Sequence, residues 1–230
     1  MKKSQMLPVF NPQSGEFIFY EKRNLVHTRG HWHKGIQANI IKKKGNSFEI
    51  LMQVRSAIVD VAKKKFDQSL ATQMTYADAL SEENALHRGL LEELGVNSYE
   101  RKVKMQADIR IIKTYEDDWS TINCELISLF ILEVSPDTFI KAYSPKIQSL
   151  EWVSWKNFLK RIETNPTVFT KTAQFYFRTK EIREEIESLS MQLIRGRLTK
   201  EKSQLTNKSY LHIHHRNSEP KTLFNKKFTR

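Results

Sequence analysis

The apolar residues of this chain follow two periods, one typical of strands and the other typical of helices. Short runs rich in aromatic and β-branched residues predict strands. These runs are 16–20, 35–41, 48–54, 104–112, 124–134 and 150–153. Apolar positions three and four residues apart predict helices over 81–94, 155–162 and 169–194. This order of strands and helices predicts a mixed α/β layered domain.

Turn residues and charge divide the chain further. The polar segment 42–47 predicts a hairpin between the second and third strands. The apolar periodicity fades after Leu198, and the chain becomes strongly basic from Arg195, so we predict one domain over 1–194 and a basic, flexible tail over 195–230. The tail carries ten Lys/Arg and two acids, a net +8 of the chain's +12. Such a tail suits weak contact with nucleic acid, or it only keeps the protein soluble.

The cysteine count and the lengths of the apolar runs limit the cellular compartments in which we expect this protein. The single cysteine, Cys124, excludes an intramolecular disulfide and favours a reducing environment. The basic N-terminus lacks the apolar run of a signal peptide. The longest apolar run, 126–132, is far shorter than the ~20 residues of a membrane span. We therefore predict a soluble cytoplasmic protein with no membrane partner.

The segment 84–96 carries the most chemistry in the sequence. Its apolar stripe consists of Leu86, Leu90 and Leu94. Arg88 and Glu92 lie four residues apart and share a helix face, and Glu93 lies on the flank of that face. On spacing alone, the segment is most simply a surface helix with a solvated charged face.

The residues 88–96, Arg-Gly-Leu-Leu-Glu-Glu-Leu-Gly-Val, resemble the end of the Nudix box, G-x5-E-x7-R-E-U-x-E-E-x-G-U with U aliphatic. Gly89 stands where the pattern has glutamate, and the other fixed positions of this part match. The resemblance extends over roughly residues 8–180. It implies a Nudix-type α/β/α sandwich with a mixed β-sheet.

Other segments are similar to the Nudix subgroup related to isopentenyl diphosphate isomerase. These segments are 27–35, 53–56, 66–69 and 123–130. Isomerase activity is nevertheless not expected. The residues 71–73, Ala-Thr-Gln, stand where those isomerases have cysteine, glycine and histidine, and Cys124 beside Glu125 does not replace them.

The front half of the box departs from the pattern. With a two-residue insertion, its fixed positions fall on Thr72, Gln73, Ala77 and Asp78. Strict spacing places the glycine and glutamate on Met74 and Leu80 instead. We prefer the insertion because it retains a carboxylate at Asp78. In both cases the glycines are replaced, so the loop must follow a different path.

The resemblance also implies roles for individual residues. Cleavage of a phosphoanhydride needs charge neutralisation by Mg²⁺ or Mn²⁺ on carboxylate oxygens. Glu92 and Glu93 are the implied metal ligands, with Asp78 as an additional ligand. Glu93, Arg88 and Glu125 are the implied catalytic residues: Arg88 orients the glutamates, and Glu125 is the base or a further ligand. An exposed strand glutamate is an equally acceptable interpretation of Glu125.

Three closely spaced histidines, His27, His31 and His33, are compatible with a zinc site. They lack a cysteine pair or second histidine pair to complete the ligand set. They are more simply loop histidines near a phosphate-binding mouth.

These features predict a metal-dependent Nudix-type hydrolase that cleaves a diphosphate linkage in a nucleoside diphosphate derivative or related small molecule. Gly89 and the lost box glycines leave a second hypothesis open. In that hypothesis the domain is catalytically impaired and binds nucleotide or RNA without hydrolysis. The sequence fixes neither the substrate nor the oligomeric state.

Overall fold

The computed structural model describes residues 5–59, 62–96, 102–104, 109–114 and 122–196, and describes the backbone alone at 102–104, 109–114 and 122. The strands are β1 Met6–Phe10, β2 Phe17–Lys22, β3 Trp32–Lys44, β4 Ser47–Arg55, β5 Phe66–Asp67, β6 Leu70–Gln73, β7 Lys102–Lys104, β8 Ile109–Thr114, β9 Ile122–Glu133 and β10 Ile147–Ser154. The helices are α1 Arg23–Arg29, α2 Glu82–Gly89, α3 Trp155–Thr164, α4 Lys171–Arg178 and α5 Lys180–Ile194.

The strands form one mixed sheet around β3. Along its length β3 pairs in parallel with β9, from Trp32 opposite Cys124 to Ile41 opposite Glu133. It also pairs antiparallel with β1, β6 and β4 at successive positions. The main path through the sheet runs β10-β4-β3-β1-β2, so β2 lies at an edge.

Helices cover both faces of this sheet. One face of β3 and β9 packs with β4 against α3, α4 and α5, where Phe158, Tyr176 and Phe177 are fully buried. The other face packs against α2, through Leu86 and its neighbours. The alternation of side chains along the strands supplies apolar residues to both layers. The α/β/α sandwich predicted from the sequence is therefore confirmed.

The predicted β3–β4 hairpin is confirmed, as are the strands near 16–20, 124–134 and 150–153 and the helix near 155–162. The single helix predicted over 169–194 is wrong. Thr179, with ψ of 113°, is extended and separates α4 from α5. Of the strand predicted over 104–112, residues 105–108 lie outside the described residues, whereas 104 and 109–112 belong to β7 and β8. Residues 197–230 of the predicted tail also lie outside the described residues. Among the described helices, none is long and apolar enough to cross a membrane.

The helix predicted over 81–94 changes form along its length. Ser81 caps its start, because its side chain accepts a hydrogen bond from the backbone N–H of Asn84 at 3.2 Å. After Gly89 the chain continues as a π-helical turn, Leu90–Leu94, and ends at Gly95 with φ of 66°. We call residues 82–94 the box helix.

Candidate active site

Arg88, on the box helix, is the most heavily bonded side chain of the site. Its Nε donates to Asp78 Oδ1 at 2.8 Å and its Nη2 donates to Asp78 Oδ2 at 3.0 Å. Nη2 also donates to the backbone oxygen of Gln73 at 2.9 Å, and Nη1 donates to Glu92 at 3.1 Å. Arg88 therefore joins the loop before the helix to Glu92, in the fork geometry that favours carboxylates.

Asp78 is only 2% exposed and lies in a short 3₁₀ turn, Tyr76–Asp78. In addition to Arg88, its carboxylate accepts the backbone N–H of Thr75 at 2.7 Å and the Thr75 hydroxyl at 2.9 Å. Burial raises the pKa of Asp78, but the bonds from Arg88 and Thr75 outweigh it and hold the pKa below its ordinary value. These bonds engage both oxygens, an arrangement that suits orientation of Arg88 better than metal ligation.

Glu92 and Glu93 are neighbours in sequence but differ in environment. The Glu92 side chain is 61% exposed and accepts its hydrogen bond from Arg88. Glu93 is 9% exposed, and burial raises its pKa to about 7 against the attraction of Lys146, Arg88 and Arg55. Within the part of the chain described, no hydrogen bond reaches the Glu93 carboxylate. Among the residues with described side chains, it is a buried acid near cationic groups and has no hydrogen-bonded partner.

The loop after β9 holds the end of the box helix. The backbone oxygen of Glu93 accepts the N–H of Tyr143 at 2.9 Å, and that of Leu94 accepts the N–H of Lys141 at 3.4 Å. The same loop supplies Lys146, whose backbone oxygen accepts the N–H of Ser56 at 2.7 Å. This loop thus brings a cation from a distant part of the sequence to Glu93.

Gly89 lies where the box helix crosses β6. A Cβ at this position would lie 2.8 Å from Thr72 Cγ2 and 3.2 Å from a Leu70 methyl, too close for an ordinary contact. The two departures from the box pattern, threonine at 72 and glycine at 89, therefore touch one another. The Thr72 side chain occupies the space that a side chain at 89 would need.

Glu125 lies in a second polar cluster. It alternates on β9 with Ile127 and Leu129, so it faces the layer of α3, α4 and α5 and not the box helix. Glu125 is 7% exposed, and its Oε1 lies 3.6 Å from His33 Nε2. The exposed-strand interpretation of Glu125 is thus excluded, whereas its role as a base stays a prediction.

Gln73 organises this second cluster. Its Oε1 accepts the Arg23 Nε–H at 3.0 Å, so its amide nitrogen points to His33 Nε2 at 3.0 Å and His27 Nε2 at 3.2 Å. His33 Nδ1 donates to the backbone oxygen of His31 at 3.1 Å, which leaves Nε2 as the acceptor. Burial, with the nearby His33 and Arg23, lowers the pKa of His27 to about 4.

The three histidines do not converge. His27 and His33 pack edge to face at 5.0 Å, while the His31 ring packs against Phe19 at 5.5 Å. Among the residues that the structure describes, no group of three or more His, Cys, Asp or Glu side chains is arranged to hold a metal ion. The Cys124 thiol is also buried, which raises its pKa to about 11 and leaves it protonated at neutral pH.

Several residues of the site were not predicted from the sequence. They are Thr75, Lys146, Arg55 and, as an organiser of the histidines, Gln73. Thr75 had a local signal, because threonine followed three residues later by an acid is typical of a capping box. The other three act across long separations in sequence; the family resemblance covers the positions of Arg55 and Gln73, but no local pattern indicates their contacts.

The donor set fits magnesium as an ion shared with a substrate. Mg²⁺ retains several waters and binds through one or two carboxylates plus substrate phosphates, so it needs no cage of protein ligands. Glu92 and Glu93 offer two carboxylates at the end of one helix, one exposed and the other without a hydrogen bond in the described structure. Zinc, which takes four ligands with nitrogen or sulfur donors, fits these residues poorly.

The arrangement defines a mixed α/β sandwich with an arginine–glutamate helix on one face of its sheet. Solved structures share the sandwich fold. DR0079 from Deinococcus radiodurans aligns with 76% of this chain and 98% of its own, at 16% identity and a TM-score of 0.56. A NUDIX hydrolase from Alicyclobacillus acidocaldarius aligns with 69% of this chain and 94% of its own, at 10% identity and a TM-score of 0.52.

The chain therefore has the Nudix fold, as its box residues predict. No family model matches the sequence. No curated protein matches it either. Identities of 10% and 16% establish the fold alone, so the likeness to the isopentenyl diphosphate isomerase subgroup stays a prediction.

Proposed function

We propose that the protein is a Mg²⁺- or Mn²⁺-dependent Nudix-type hydrolase that cleaves a diphosphate linkage in a nucleoside diphosphate derivative or related small molecule. The observation that carries the proposal is the environment of Glu93. Its buried carboxylate has no hydrogen-bond partner in the described structure, although Lys146 and Arg55 lie near enough to lower its pKa. A metal ion with a bound diphosphate would satisfy the carboxylate and the cations together.

Each side chain has a distinct task in this proposal. Glu92 and Glu93 would hold the metal ion, which neutralises charge on the diphosphate oxygens when it is bound. Arg88 fixes Glu92 and is itself fixed by Asp78. Lys146 and Arg55 are suited to attract an anionic substrate towards Glu93. The loop of Tyr143 holds the backbone of Glu93 in place.

A second candidate function is binding without cleavage. The contact between Thr72 and the position of Gly89 favours it, because that contact leaves no room for the third carboxylate of the box. Two carboxylates and a phosphate ligand are enough to bind Mg²⁺, but fewer protein charges would remain to hold the ion in a fixed position. In this case the protein would bind its nucleotide reversibly and release it without cleavage.

The two candidates are separated by one set of measurements on the full chain. A panel of dinucleoside polyphosphates, nucleoside diphosphate sugars and nucleoside triphosphates is incubated with Mg²⁺ or Mn²⁺, and product release is measured. Hydrolysis that is lost in Glu93→Gln but retained in Glu185→Gln, an exposed control on α5, supports the enzyme. Calorimetric binding of a panel member without turnover supports the binder. If the protein shows no turnover and no binding with any member of the panel, both candidate functions are contradicted.

The contact of the tail with nucleic acid and the cytoplasmic location are separate proposals. Residues 197–230 lie outside the described part of the chain, so the tail contact rests on charge alone. Retention of RNA that weakens steeply between ~50 and ~200 mM salt would support it. Retention that is absent at low salt would contradict it.

A further inference from the structure

An exposed apolar patch lies at the end of the box helix, next to the two glutamates. Leu91 is 53% exposed and Tyr143 is 59% exposed. The backbone oxygen of Leu91 accepts the N–H of Gly95 at 3.1 Å, so these two residues are neighbours on successive turns. The Tyr143 ring lies against Gly95, since a Cβ at that glycine would overlap Cε2 of the ring and lie 2.8 Å from its Cδ2. We call Leu91, Gly95 and Tyr143 the aromatic shelf.

The Tyr143 ring is exposed, but the segment that carries it is held in place. The backbone N–H of Tyr143 donates to the oxygen of Glu93 at 2.9 Å, and the N–H of Lys141 donates to that of Leu94 at 3.4 Å. Between and before them, Ala142 and Ile140 pack against the core beneath the box helix. A single exposed aromatic residue is ordinary on a protein surface. One whose backbone is fixed in advance loses less freedom when a ligand contacts it.

Positive charge borders the shelf. Lys141 and Lys146 lie two residues before and three residues after Tyr143, whereas the one acid of the loop 134–146, Asp137, lies six residues before it. Lys141 Nζ is 5.9 Å from the centroid of the Tyr143 ring. Lys146 acts on the carboxylate of Glu93, whose pKa its charge lowers against burial. The region therefore suits a ligand that has an apolar part and an anionic part.

A nucleobase fits the aromatic shelf better than an alkyl chain. The shelf is open, because more than half of the surface of Leu91 and of Tyr143 is accessible to solvent. An open surface can stack against one face of a flat ring, whereas an alkyl chain binds best where a pocket encloses it on several sides. Stacking on an aromatic side chain needs only one face of the base, and every base has such a face.

We propose that Tyr143 stacks on the base of a nucleotide whose diphosphate lies at Glu92 and Glu93, and that this contact selects nucleoside diphosphates over diphosphates without a base. The inference rests on the proposed function and sharpens it. Tyr143 is then a specificity-determining residue. Because stacking does not depend on cleavage, the contact belongs to the hydrolase and to the binder alike.

The test is calorimetry of the full chain with Mg²⁺ and two probes that resist hydrolysis. The probes are α,β-methylene-ADP and methylenediphosphonate, which lacks the base and the ribose. The unmodified protein should bind α,β-methylene-ADP about tenfold or more tightly than methylenediphosphonate. Tyr143→Leu should weaken the binding of α,β-methylene-ADP about tenfold and leave that of methylenediphosphonate within about twofold. Tyr143→Phe should keep the preference, because the ring stacks and the hydroxyl does not.

Two controls separate stacking from the structure of the loop and from general apolar contact. Phe139→Leu, at a position 77% exposed on the same loop, should leave both affinities unchanged. The octyl ester of methylenediphosphonate should bind no more tightly than methylenediphosphonate itself. A loop loosened by Tyr143→Leu would also displace Lys146, so it would weaken both probes equally and would contradict base recognition by Tyr143.

Other results would also overturn the inference. Equal affinity of the unmodified protein for the two probes would do so, as would tighter binding of the octyl ester or a nucleotide preference that survives in Tyr143→Leu. Each of these results leaves the proposed function intact, because a diphosphonate still binds with Mg²⁺. If neither probe binds the unmodified protein, the proposed function is contradicted together with the inference.

Discussion

Two buried carboxylates, Asp78 and Glu93, lie near the same arginine, yet their pKa values move in opposite directions. Asp78 is 2% exposed, and its pKa lies below the ordinary value because Arg88 and Thr75 donate to it. Glu93 is 9% exposed, and burial raises its pKa to about 7. Burial opposes ionisation in both, so the direct hydrogen bonds decide the difference.

The comparison separates a structural end of the site, at Asp78, from the proposed metal-binding end, at Glu93. At Asp78 the negative charge is already compensated, and the carboxylate fixes Arg88 to the loop before the box helix. At Glu93 the cations lie nearby without direct bonds to the carboxylate in the described structure. A group in this state gains from any cation that reaches it. This difference makes Glu93 a better candidate than Asp78 for holding a metal ion.

The largest expected effect is at the structural end. Arg88→Ala would leave the buried Asp78 without its main partner, and removal of one member of a buried pair costs about 3 kcal/mol or more of unfolding free energy. Urea denaturation measures the change. Lys180→Ala, which removes the exposed Lys180–Glu184 pair, should cost less than about 1 kcal/mol. Equal losses in the two variants would show that the buried Asp78–Arg88 pair contributes no more to stability than an exposed pair, and would contradict the structural role of Asp78.

The next effect is the pH dependence of Glu93. Its pKa in the folded state, about 7, lies above the ordinary 4.5, so the folded protein binds more protons than the unfolded chain between these values. Stability should therefore fall as pH rises through this window, by about 3 kcal/mol in total at most, and Glu93→Gln should remove that component. Denaturation of both proteins at intervals from pH ~4 to ~8 measures it.

Metal binding provides the complementary measurement. A metal ion binds the ionised form, so Mg²⁺ affinity should increase as pH rises through the Glu93 pKa of about 7, with release of protons on binding. Calorimetry in buffers of different ionisation enthalpy detects the released protons. An affinity independent of pH would argue that Glu93 is not a ligand.

The fold was largely predictable because its signals are local. Turn residues at 42–47 mark the β3–β4 hairpin, and the spacing of leucines marks the box helix. The break between α4 and α5 was missed because Thr179 is neither proline nor glycine, and the apolar period continues through it. Local patterns therefore predict the elements better than they predict their limits.

The site was less predictable because its contacts are not local. The sharing of a helix face by Arg88 and Glu92 follows from i, i+4 spacing and is confirmed by their salt bridge. The pairing of His33 with Glu125 depends on the parallel register of β3 and β9, which no single strand encodes. The approach of Lys146 to Glu93 likewise depends on how a loop closes over the box helix.

The position of the box helix can be tested at Gly89. In an exposed helix alanine is more favourable than glycine by about 1 kcal/mol, but at position 89 its Cβ would lie 2.8 Å from Thr72 Cγ2. Because β-branched side chains are stiff, we expect Gly89→Ala to destabilise the protein by about 1–3 kcal/mol. In a Thr72→Ala background, which lacks Cγ2, most of this loss should disappear. Thermal denaturation of the four proteins gives the coupling between the two positions. Additive effects would contradict the contact.

The smallest effect on stability is expected at Glu92. A substitution there should change Mg²⁺ binding while leaving the free energy of unfolding nearly the same. The Glu92 side chain is 61% exposed, and its i, i+4 bond with Arg88 contributes only about 0.5 kcal/mol. Glu92→Gln should therefore leave the urea midpoint nearly unchanged. If Glu92 holds the metal ion with Glu93, the same variant should weaken Mg²⁺ binding about tenfold or more in calorimetry, since one of two carboxylate ligands loses its charge. Unchanged binding would leave Glu93 as the only ligand at this end of the helix.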